Sequence, residues 1–175
     1  LVRREEGLDE AARRELFEKT GVSDLYLEQL YTFGEARRDP TVHTVSVAYF
    51  ALVPPVVDTL SRGEKYADVR WAPVHDLPPL AYDHHAIAEY ALQRLRTKLS
   101  YTNIVYSLLP TEFTLADLQE LYEVILHQPL DRRNFRRKIL ALGLLKALPK
   151  TRRGAHRPAT LYTFTRRSPM NVEVL

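Results

Sequence analysis

The stretch from residue 8 to residue 22 constrains the fold of this 175-residue chain more than any other part of its sequence. It reads LDEAARRELFEKTGV, and with no glycine or proline before its end it predicts a helix over 8–19. On such a helix Glu15, Glu18 and Lys19 are spaced by three and four residues and share one face. Carboxylates gathered on one face are the oxygen ligands that Mg²⁺ or Mn²⁺ prefers beside a pyrophosphate. The alternative interpretation is an ordinary solvated face of an amphipathic helix.

The same stretch resembles the end of the Nudix box, G-x5-E-x7-R-E-U-x-E-E-x-G-U, in which U is aliphatic. The matching residues are Arg14-Glu15-Leu16-Phe17-Glu18-Lys19-Thr20-Gly21-Val22, with Glu6 at the first acidic position. The chain departs from the pattern twice, because the opening glycine would precede Leu1 and Lys19 replaces the second glutamate of the pair. A positive charge at that position weakens the binding of a divalent cation. The resemblance implies that Glu6, Glu15 and Glu18 are catalytic or vestigial metal-binding residues, holding Mg²⁺ or Mn²⁺ if the carboxylate site survives.

Composition and charge predict a globular chain of one or two domains. Hydrophobic residues make up 45% and charged residues 27%, and no apolar run is long enough to span a membrane. The absence of cysteine excludes disulfides and thiolate metal sites, and it fits a reducing cytoplasm. Residues 1–100 have a net charge of −3, whereas residues 101–175 have a net charge of +6. This asymmetry predicts two modules, the second of which binds a polyanion.

The first module is expected to combine helices and strands. Strands are predicted at 26–33 and 44–53, the second of them apolar and β-branched as buried strands are. A polar loop is expected over 58–66, followed by a short strand at 68–72. A helix over 83–99, with apolar side chains near one face, completes this module.

From residue 101 the pattern predicts three helices and then a β-hairpin, which is the order of a winged helix. The first helix is short, over 103–109. Thr114, with an aspartate three residues later, is the expected N-cap of the second helix. Asp131 is the expected N-cap of the third helix, which runs to residue 142 with Gly143 at or just past its end. A strand is predicted at 160–165.

The third of these helices has one apolar and one basic side. Phe135, Ile139 and Leu142 define the apolar face. At 100° per residue, Arg133 and Arg137 point away from that face, and the side chains at positions 134 and 136 lie on its flanks. A helix of this kind suits the DNA major groove, where arginine reads guanine and asparagine reads adenine.

The expected hairpin tip is also basic, and it is predicted to lie along phosphates or in the minor groove. Residues 131–157 contain ten lysines and arginines and a single acid. We therefore assign DNA contacts to Arg133, Asn134, Arg136, Arg137, Lys138, Arg152, Arg153, His156 and Arg157. A solvated helix face next to a disordered basic loop is the alternative interpretation.

Together the two halves resemble the Nudix-related transcriptional regulators of the NrtR type. The matching segments are Arg14-Glu15-Leu16-Phe17-Glu18-Lys19-Thr20-Gly21, Arg38-Asp39-Pro40, Val45-Ser46-Val47-Ala48-Tyr49, Asp83-His84-His85 and Asn134-Phe135-Arg136-Arg137-Lys138. The resemblance implies an α+β protein in which a Nudix α/β/α sandwich, N-terminally incomplete in this sequence, occupies residues 1–100. A winged helix-turn-helix domain follows over 101–175. It also implies a homodimer on a palindromic double-stranded DNA operator, with a Nudix domain that senses ADP-ribose or a related nucleotide and controls genes of NAD or sugar metabolism.

Five further residues are candidates for binding that nucleotide: Phe33, Arg37, Arg38, Asp39 and Tyr82. The three charged residues lie in a predicted loop and suit a diphosphate or a ribose, with a solvated turn as the alternative. The two aromatic residues suit stacking on an adenine, with core packing as the alternative. Adjacent histidines after Asp83 point to different faces, so an N-cap at Asp83 is expected there rather than a metal site.

Two other functions are compatible with the sequence. One is a Mg²⁺-dependent Nudix hydrolase, an ADP-ribose pyrophosphatase, with the winged helix as an accessory module. The other is a degenerate Nudix scaffold that binds RNA, although the aromatic residues that would stack on single-stranded bases are not clustered on the basic module. Lys19 favours the regulator over the hydrolase because it argues against fast hydrolysis.

Overall fold

The computed structural model describes residues 1–23, 25–54, 69–153 and 158–174, and it divides the chain into two compact units. The first unit takes up most of the chain as far as Leu92, and the second unit takes up the chain from Gln93 onward together with Pro54. Among the described residues, every helix is too short or too polar to span a lipid bilayer.

The first unit contains helix α1 (Leu8–Thr20), the antiparallel strands β1 (Tyr26–Phe33) and β2 (Ser46–Leu52), and the start of helix α2 (His84–Tyr101). The predicted helices over 8–19 and 83–99 and the two strands are thereby confirmed to within two residues at each end. α1 ends at Gly21, whose φ of 72° is a left-handed conformation that glycine adopts without strain.

The prediction of a short strand at 68–72 is wrong for the described residues 69–72, which form no strand. Trp71 is 59% exposed, and a proline follows at position 73. A strand needs a neighbouring backbone to complete its hydrogen bonds, and the sequence pattern alone carried no information about a partner. Asp68 and the loop predicted over 58–66 lie outside the described residues.

The second unit contains the end of α2, a 3₁₀ turn (Ile104–Ser107), helices α3 (Leu115–Leu126) and α4 (Arg132–Ala141), and strands β3 (Leu145–Arg152) and β4 (Ala159–Phe164). The two strands pair antiparallel, and a bridge between Phe113 and Tyr162 joins the start of α3 to β4. The register shifts between Ala147 and Thr151, where Pro149 cannot donate a ladder hydrogen bond. The predicted order of helices followed by a hairpin is confirmed.

The predicted caps of the second unit are also present. The Thr114 hydroxyl accepts from the Asp117 amide at 3.1 Å, and the Asp117 carboxylate accepts from the Thr114 amide at 2.9 Å. Asp131 accepts from the Asn134 amide at 2.8 Å. Gly143 has a φ of 65°, just past the end of α4. These local hydrogen bonds set where α3 and α4 begin and end.

The core of the second unit lies between α3, α4 and the hairpin. Phe113 and Phe164 pack with ring centroids 5.0 Å apart, and Tyr122 of α3 packs edge-on against Phe135 of α4 at 5.2 Å. Leu118 is 1% exposed. Because this core buries one side of α4, the opposite side of that helix faces outward.

Candidate nucleotide pocket and nucleic-acid interface

The carboxylates of the Nudix box surround the guanidinium of Arg14. Its Nε and Nη2 donate to the two Glu6 oxygens at 2.9 and 2.6 Å, and its Nη1 donates to Glu15 at 3.0 Å and to Glu18 at 3.3 Å. The Arg14 and Glu6 side chains are only 17% and 13% exposed. The hydrogen bond from Arg14 lowers the pKa of Glu6 to about 2, so Glu6 is ionised throughout the neutral range.

A second cation lies on the same face of α1. Nζ of Lys19 is 3.2 Å from Oε2 of Glu15. Over the described ranges, no group of three or more histidine, cysteine, aspartate or glutamate side chains is arranged to hold a metal ion. As arranged, the side chains do not fit Mg²⁺ or Mn²⁺, because Arg14 and Lys19 already neutralise the oxygens that would bind the ion.

A cleft of about 620 Å³ lies between α1 and the sheet of β1 and β2. Its polar lining comes from Glu15, Lys19, Ser46 and Tyr49, and the rest of its wall is mainly aliphatic. The Tyr49 hydroxyl donates to Asp9 at 2.5 Å and so ties β2 to α1. A cleft that combines aliphatic walls with a few polar side chains is a common form of a small-molecule site.

The predicted loop arginine Arg38 is turned inward, with a side chain that is only 5% exposed. Its Nε and Nη2 each donate to the Asp83 carboxylate at 2.8 Å, and its Nη1 donates to Ser46 Oγ at 2.5 Å. The hydrogen bond from Arg38 lowers the pKa of Asp83. Asp83 does precede α2, as expected for an N-cap, but both of its carboxylate oxygens accept from Arg38. Arg38 therefore reaches the cleft only through Ser46, which lines it.

The neighbouring charged residues of this loop behave as a turn. Asp39 Oδ1 accepts from the amide and the hydroxyl of Thr41, at 2.8 and 2.6 Å. These hydrogen bonds lower the pKa of Asp39. Arg37 is exposed. Neither residue lines the cleft.

The two predicted stacking residues lie apart from each other. Phe33 is in an aromatic cluster with Tyr31 and Tyr90, at centroid distances of 5.3 and 5.9 Å. Tyr82 is 60% exposed, has a positive φ of 53°, and contacts the ring of His84. Neither ring lines the cleft, so packing accounts for Phe33 better than stacking on a ligand does.

The cleft is lined by residues of β2, and by Val45 just before it, that the sequence reasoning did not select. Val45, Val47, Tyr49 and Ala51 alternate along the chain and all line it, together with Ser46. Their spacing of two was visible in the sequence, since alternate residues of a strand share a face. The spacing does not reveal which of the two faces of the strand lies towards α1.

Helix α4 presents a basic surface to solvent. Phe135 and Ile139 are buried, while Arg133, Asn134, Arg137 and Lys138 are exposed; only Arg136 is half-buried. Nη2 of Arg137 donates to Oδ1 of Asn134 at 2.9 Å, which links the two side chains. The predicted division of this helix into a buried and a basic side is confirmed.

The predicted wing residues are divided between internal pairs and solvent. Arg152 makes a two-point contact with the Asp117 carboxylate at 2.8 and 3.0 Å, and Lys150 pairs with Glu112 at 2.5 Å. Arg153 is exposed just beyond β3. His156 and Arg157, also assigned to DNA, lie outside the described residues. The pairs of Arg152 and Lys150 therefore attach the wing to the start of α3.

Comparisons with known proteins agree with this architecture. The NUDIX domain family matches residues 1–95, and the NrtR DNA-binding winged helix domain family matches residues 105–164. The chain is 36% identical over 165 residues to the "ADPR responsive transcriptional repressor NtrR" of Acinetobacter baylyi. The match covers 93% of this chain and 66% of that protein, so the chain spans just under two thirds of the length of this relative.

Solved structures give the same result. The Shewanella oneidensis NrtR complexed with a 27mer DNA has a TM-score of 0.82 and 34% identity, over 94% of this chain and 77% of that chain. A MutT/nudix family protein from Enterococcus faecalis, with a TM-score of 0.71 and 22% identity over 94% of this chain and 71% of its own, supports the fold alone. Carrying a Nudix domain followed by an NrtR winged helix, the chain belongs to the NrtR family of Nudix-related regulators.

Proposed function

We propose that this protein is a DNA-binding transcriptional repressor whose Nudix domain, residues 1–100, senses ADP-ribose or a related nucleotide. Its winged helix domain, residues 101–175, binds the double-stranded DNA operator. The Acinetobacter relative is described as ADPR-responsive and as a repressor, and the Shewanella relative was crystallised with DNA. Both relationships support the proposal.

The observation that carries the proposal is the outward basic face of α4. Arg133 and Arg137 are exposed on the side opposite the buried Phe135 and Ile139, and the exposed Asn134 and Lys138 flank them. A helix of 10 residues that is anchored on one side and basic on the other fits the width of the DNA major groove. Phosphate contacts from the adjoining wing supply affinity that does not depend on sequence.

The cleft beside α1 is our proposed nucleotide site. Lys19 lines it in an ion pair with Glu15, Ser46 and Tyr49 add polar groups that suit a diphosphate or a ribose, and aliphatic residues form the rest of the wall. Arg14 and Lys19 occupy the carboxylates that a hydrolase would use for its metal. The cleft therefore favours binding over turnover, and the hydrolase is the weaker candidate.

Nucleotide binding regulates DNA affinity only if the nucleotide prefers one DNA-binding state of the protein over another. We propose that the protein binds a palindromic operator as a homodimer, because two-fold symmetric proteins read two-fold symmetric half-sites, and that the nucleotide prefers a dimer geometry that binds the operator poorly. The proposed setting is the cytoplasm, and the proposed targets are genes of NAD or sugar metabolism.

One gel-shift experiment tests the proposal. Full-length protein is titrated at fixed salt against the DNA upstream of its own gene, with and without ADP-ribose. A shifted band that ADP-ribose removes is the expected result. The absence of a shift, combined with sustained release of AMP and ribose 5-phosphate from ADP-ribose in the presence of Mg²⁺, would establish the hydrolase instead.

A further inference from the structure

Among the described residues of the Nudix box, six side chains form one network of ion pairs, which we call the box network. Arg14 pairs with its three glutamates at 2.6, 3.0 and 3.3 Å. Nη2 of Arg3 lies 3.1 Å from Glu18, and Nζ of Lys19 lies 3.2 Å from Glu15. The six members are Arg3, Glu6, Arg14, Glu15, Glu18 and Lys19. Three positive and three negative charges balance, so these side chains together carry no net charge.

The charge of the box network differs by two units from that of the Nudix pattern. The pattern has a glutamate where this chain has Lys19. With a glutamate there, the same six positions would hold four negative and two positive charges, an excess that one Mg²⁺ or Mn²⁺ neutralises. In this chain the ammonium group of Lys19 supplies the neutralising charge, and a divalent cation beside it would be repelled.

The ammonium group of Lys19 can be reached from the cleft between α1 and the sheet. The Lys19 side chain is 48% exposed and that of Glu15 is 30% exposed, and both residues line the cleft. Ser46 and Tyr49 line it from β2. A phosphate oxygen that enters the cleft therefore approaches the lysine without any opening of the fold. Lysine binds phosphate as a compact point charge.

We propose that Lys19 replaces the divalent cation of the Nudix pattern, so that the cleft binds the diphosphate of its nucleotide as the free anion rather than as a metal chelate. The inference rests on the proposed nucleotide-binding function and deepens it, because it names the ionic form of the ligand. A metal ion holds a diphosphate by bridging its oxygens to protein carboxylates. Lys19 attracts the same oxygens directly, while its ion pair with Glu15 fixes where the ammonium group lies.

The test is a calorimetric titration of the full-length protein with ADP-ribose, once in EDTA and once in Mg²⁺. Wild type should bind with the same affinity in both buffers, to within about twofold. Lys19→Met should bind about tenfold more weakly in both buffers, because a charged hydrogen bond to the phosphate is lost. Lys19→Arg keeps the positive charge and should bind more tightly than Lys19→Met in both buffers.

Lys19→Glu gives the sharpest contrast, because it restores the residue of the Nudix pattern. This variant should bind ADP-ribose poorly in EDTA and gain at least about tenfold in affinity when Mg²⁺ is added. Arg13→Met is the matched control, since it removes one positive charge from an exposed position of α1 outside the cleft lining. It should bind ADP-ribose like wild type. Matching thermal unfolding curves of all variants serve as the folding control.

Three results would overturn the inference. Wild-type affinity that falls by about tenfold or more in EDTA would mean that a metal ion carries the diphosphate. Lys19→Met that binds like wild type would mean that the lysine does not contact the ligand. Equal losses in Lys19→Met and Arg13→Met would show a general effect of charge on α1.

The inference and the proposed function fail in different ways. Wild-type protein that binds ADP-ribose in neither buffer would refute the sensing of ADP-ribose. Inorganic pyrophosphate is then the probe, and the readout is the NMR signal of the Lys19 Cε, identified by its loss in Lys19→Met. A shift of that signal in EDTA, without shifts of the other lysine signals, supports metal-free binding of a diphosphate, and no shift overturns it.

Discussion

At the scale of single residues, arginine side chains carry the most specific contacts of both units, and each has a different role. Arg14 gathers the carboxylates of the Nudix box, Arg38 holds Asp83, and Arg152 holds the wing. Arg136 is the exception, because its buried Nε has no acceptor among the described residues. The role of each arginine follows from the acceptors that the fold places around it, since the guanidinium is charged at every accessible pH.

The contact between Arg38 and Asp83 should make the first unit sensitive to acid. Because the pKa of Asp83 is lowered below 3.8 in the folded state, its contribution to stability is complete above that value and is lost as pH falls through the folded pKa. Arg38→Met should therefore destabilise the protein at pH 7, and the difference from wild type should shrink below about pH 4. Urea unfolding at pH 7 and below about pH 4 measures the difference in the free energy of unfolding between Arg38→Met and wild type.

Arg37→Met is the matched control, since it removes the same charge at an exposed neighbouring position. Its stability should equal that of wild type at both pH values. If the two variants lose equal stability at pH 7, the contact with Asp83 is not what holds this loop.

Substitutions of Lys19 test whether position 19 of the Nudix box still contributes to a metal site. Lys19→Glu removes the ion pair with Glu15 and adds a carboxylate, so it should increase affinity for Mn²⁺, measured by electron paramagnetic resonance. Lys19→Gln removes the same ion pair without adding a ligand and should bind Mn²⁺ more weakly than Lys19→Glu. Equal Mn²⁺ affinities in the two variants would mean that position 19 no longer belongs to a metal site.

Arg137 is the residue of α4 best placed to contact a base. It is exposed, and its hydrogen bond to Asn134 orients both side chains on the outer face of the helix. Arg137→Ala should weaken operator binding by about 10- to 100-fold without changing thermal stability, as measured by gel shift at fixed salt. Arg13→Ala, an exposed arginine of α1, should bind DNA like wild type, and a loss as large as that of Arg137→Ala would show a general charge effect instead.

At the scale of elements, the stability of the second unit depends on the side of α3 that faces α4 and the hairpin. Leu118 is 1% exposed and packs in this core, whereas Val124 on the same helix is 69% exposed. The capping box at Thr114 fixes the start of the helix and therefore which residues point inward. Truncating one side chain on each face to alanine measures how much each face contributes to the free energy of unfolding.

Leu118→Ala should lower the free energy of unfolding by about 3 kcal/mol, because it removes buried methyl groups and leaves a cavity. Val124→Ala should change it by about 0.5 kcal/mol or less. Urea unfolding followed by circular dichroism measures both. Similar losses in the two variants would show that α3 does not bury its predicted apolar face.

At the scale of the whole molecule, the net charge of −3 in residues 1–100 and of +6 in residues 101–175 separates the two proposed activities. A basic domain that releases counterions from DNA loses affinity steeply as salt rises. The cleft offers one lysine to its ligand, so its affinity depends less on salt than that of a surface that contacts several phosphates.

Raising the salt concentration from about 50 to about 200 mM should therefore lower DNA affinity by about 100-fold, if about four phosphates are contacted. Affinity for ADP-ribose in the same buffers should fall by much less. Fluorescence anisotropy for DNA and calorimetry for ADP-ribose measure the two. DNA affinity that is independent of salt would contradict the role of the basic surface.

The sequence alone determined the features that depend on neighbours within a few residues. The helix periodicity placed α1 and α4 to within two residues at each end, and the caps at Thr114 and Asp131 placed the starts of α3 and α4. The apolar spacing of Phe135 and Ile139 identified the basic face of α4. Hydrogen bonds and side-chain spacings inside one helix are set by local backbone geometry, so they can be predicted from a single sequence.

Only the tertiary structure decided the partners that are distant along the chain. Arg38 was expected to meet a nucleotide, yet it is held by Asp83, 45 positions away. Arg152 was expected to meet DNA, yet it is held by Asp117, 35 positions away. An arginine binds whichever acceptor the fold brings near, and that choice depends on which faces of distant elements pack together. The same packing shields Nε of Arg136 from solvent, although the residue lies on the basic helix.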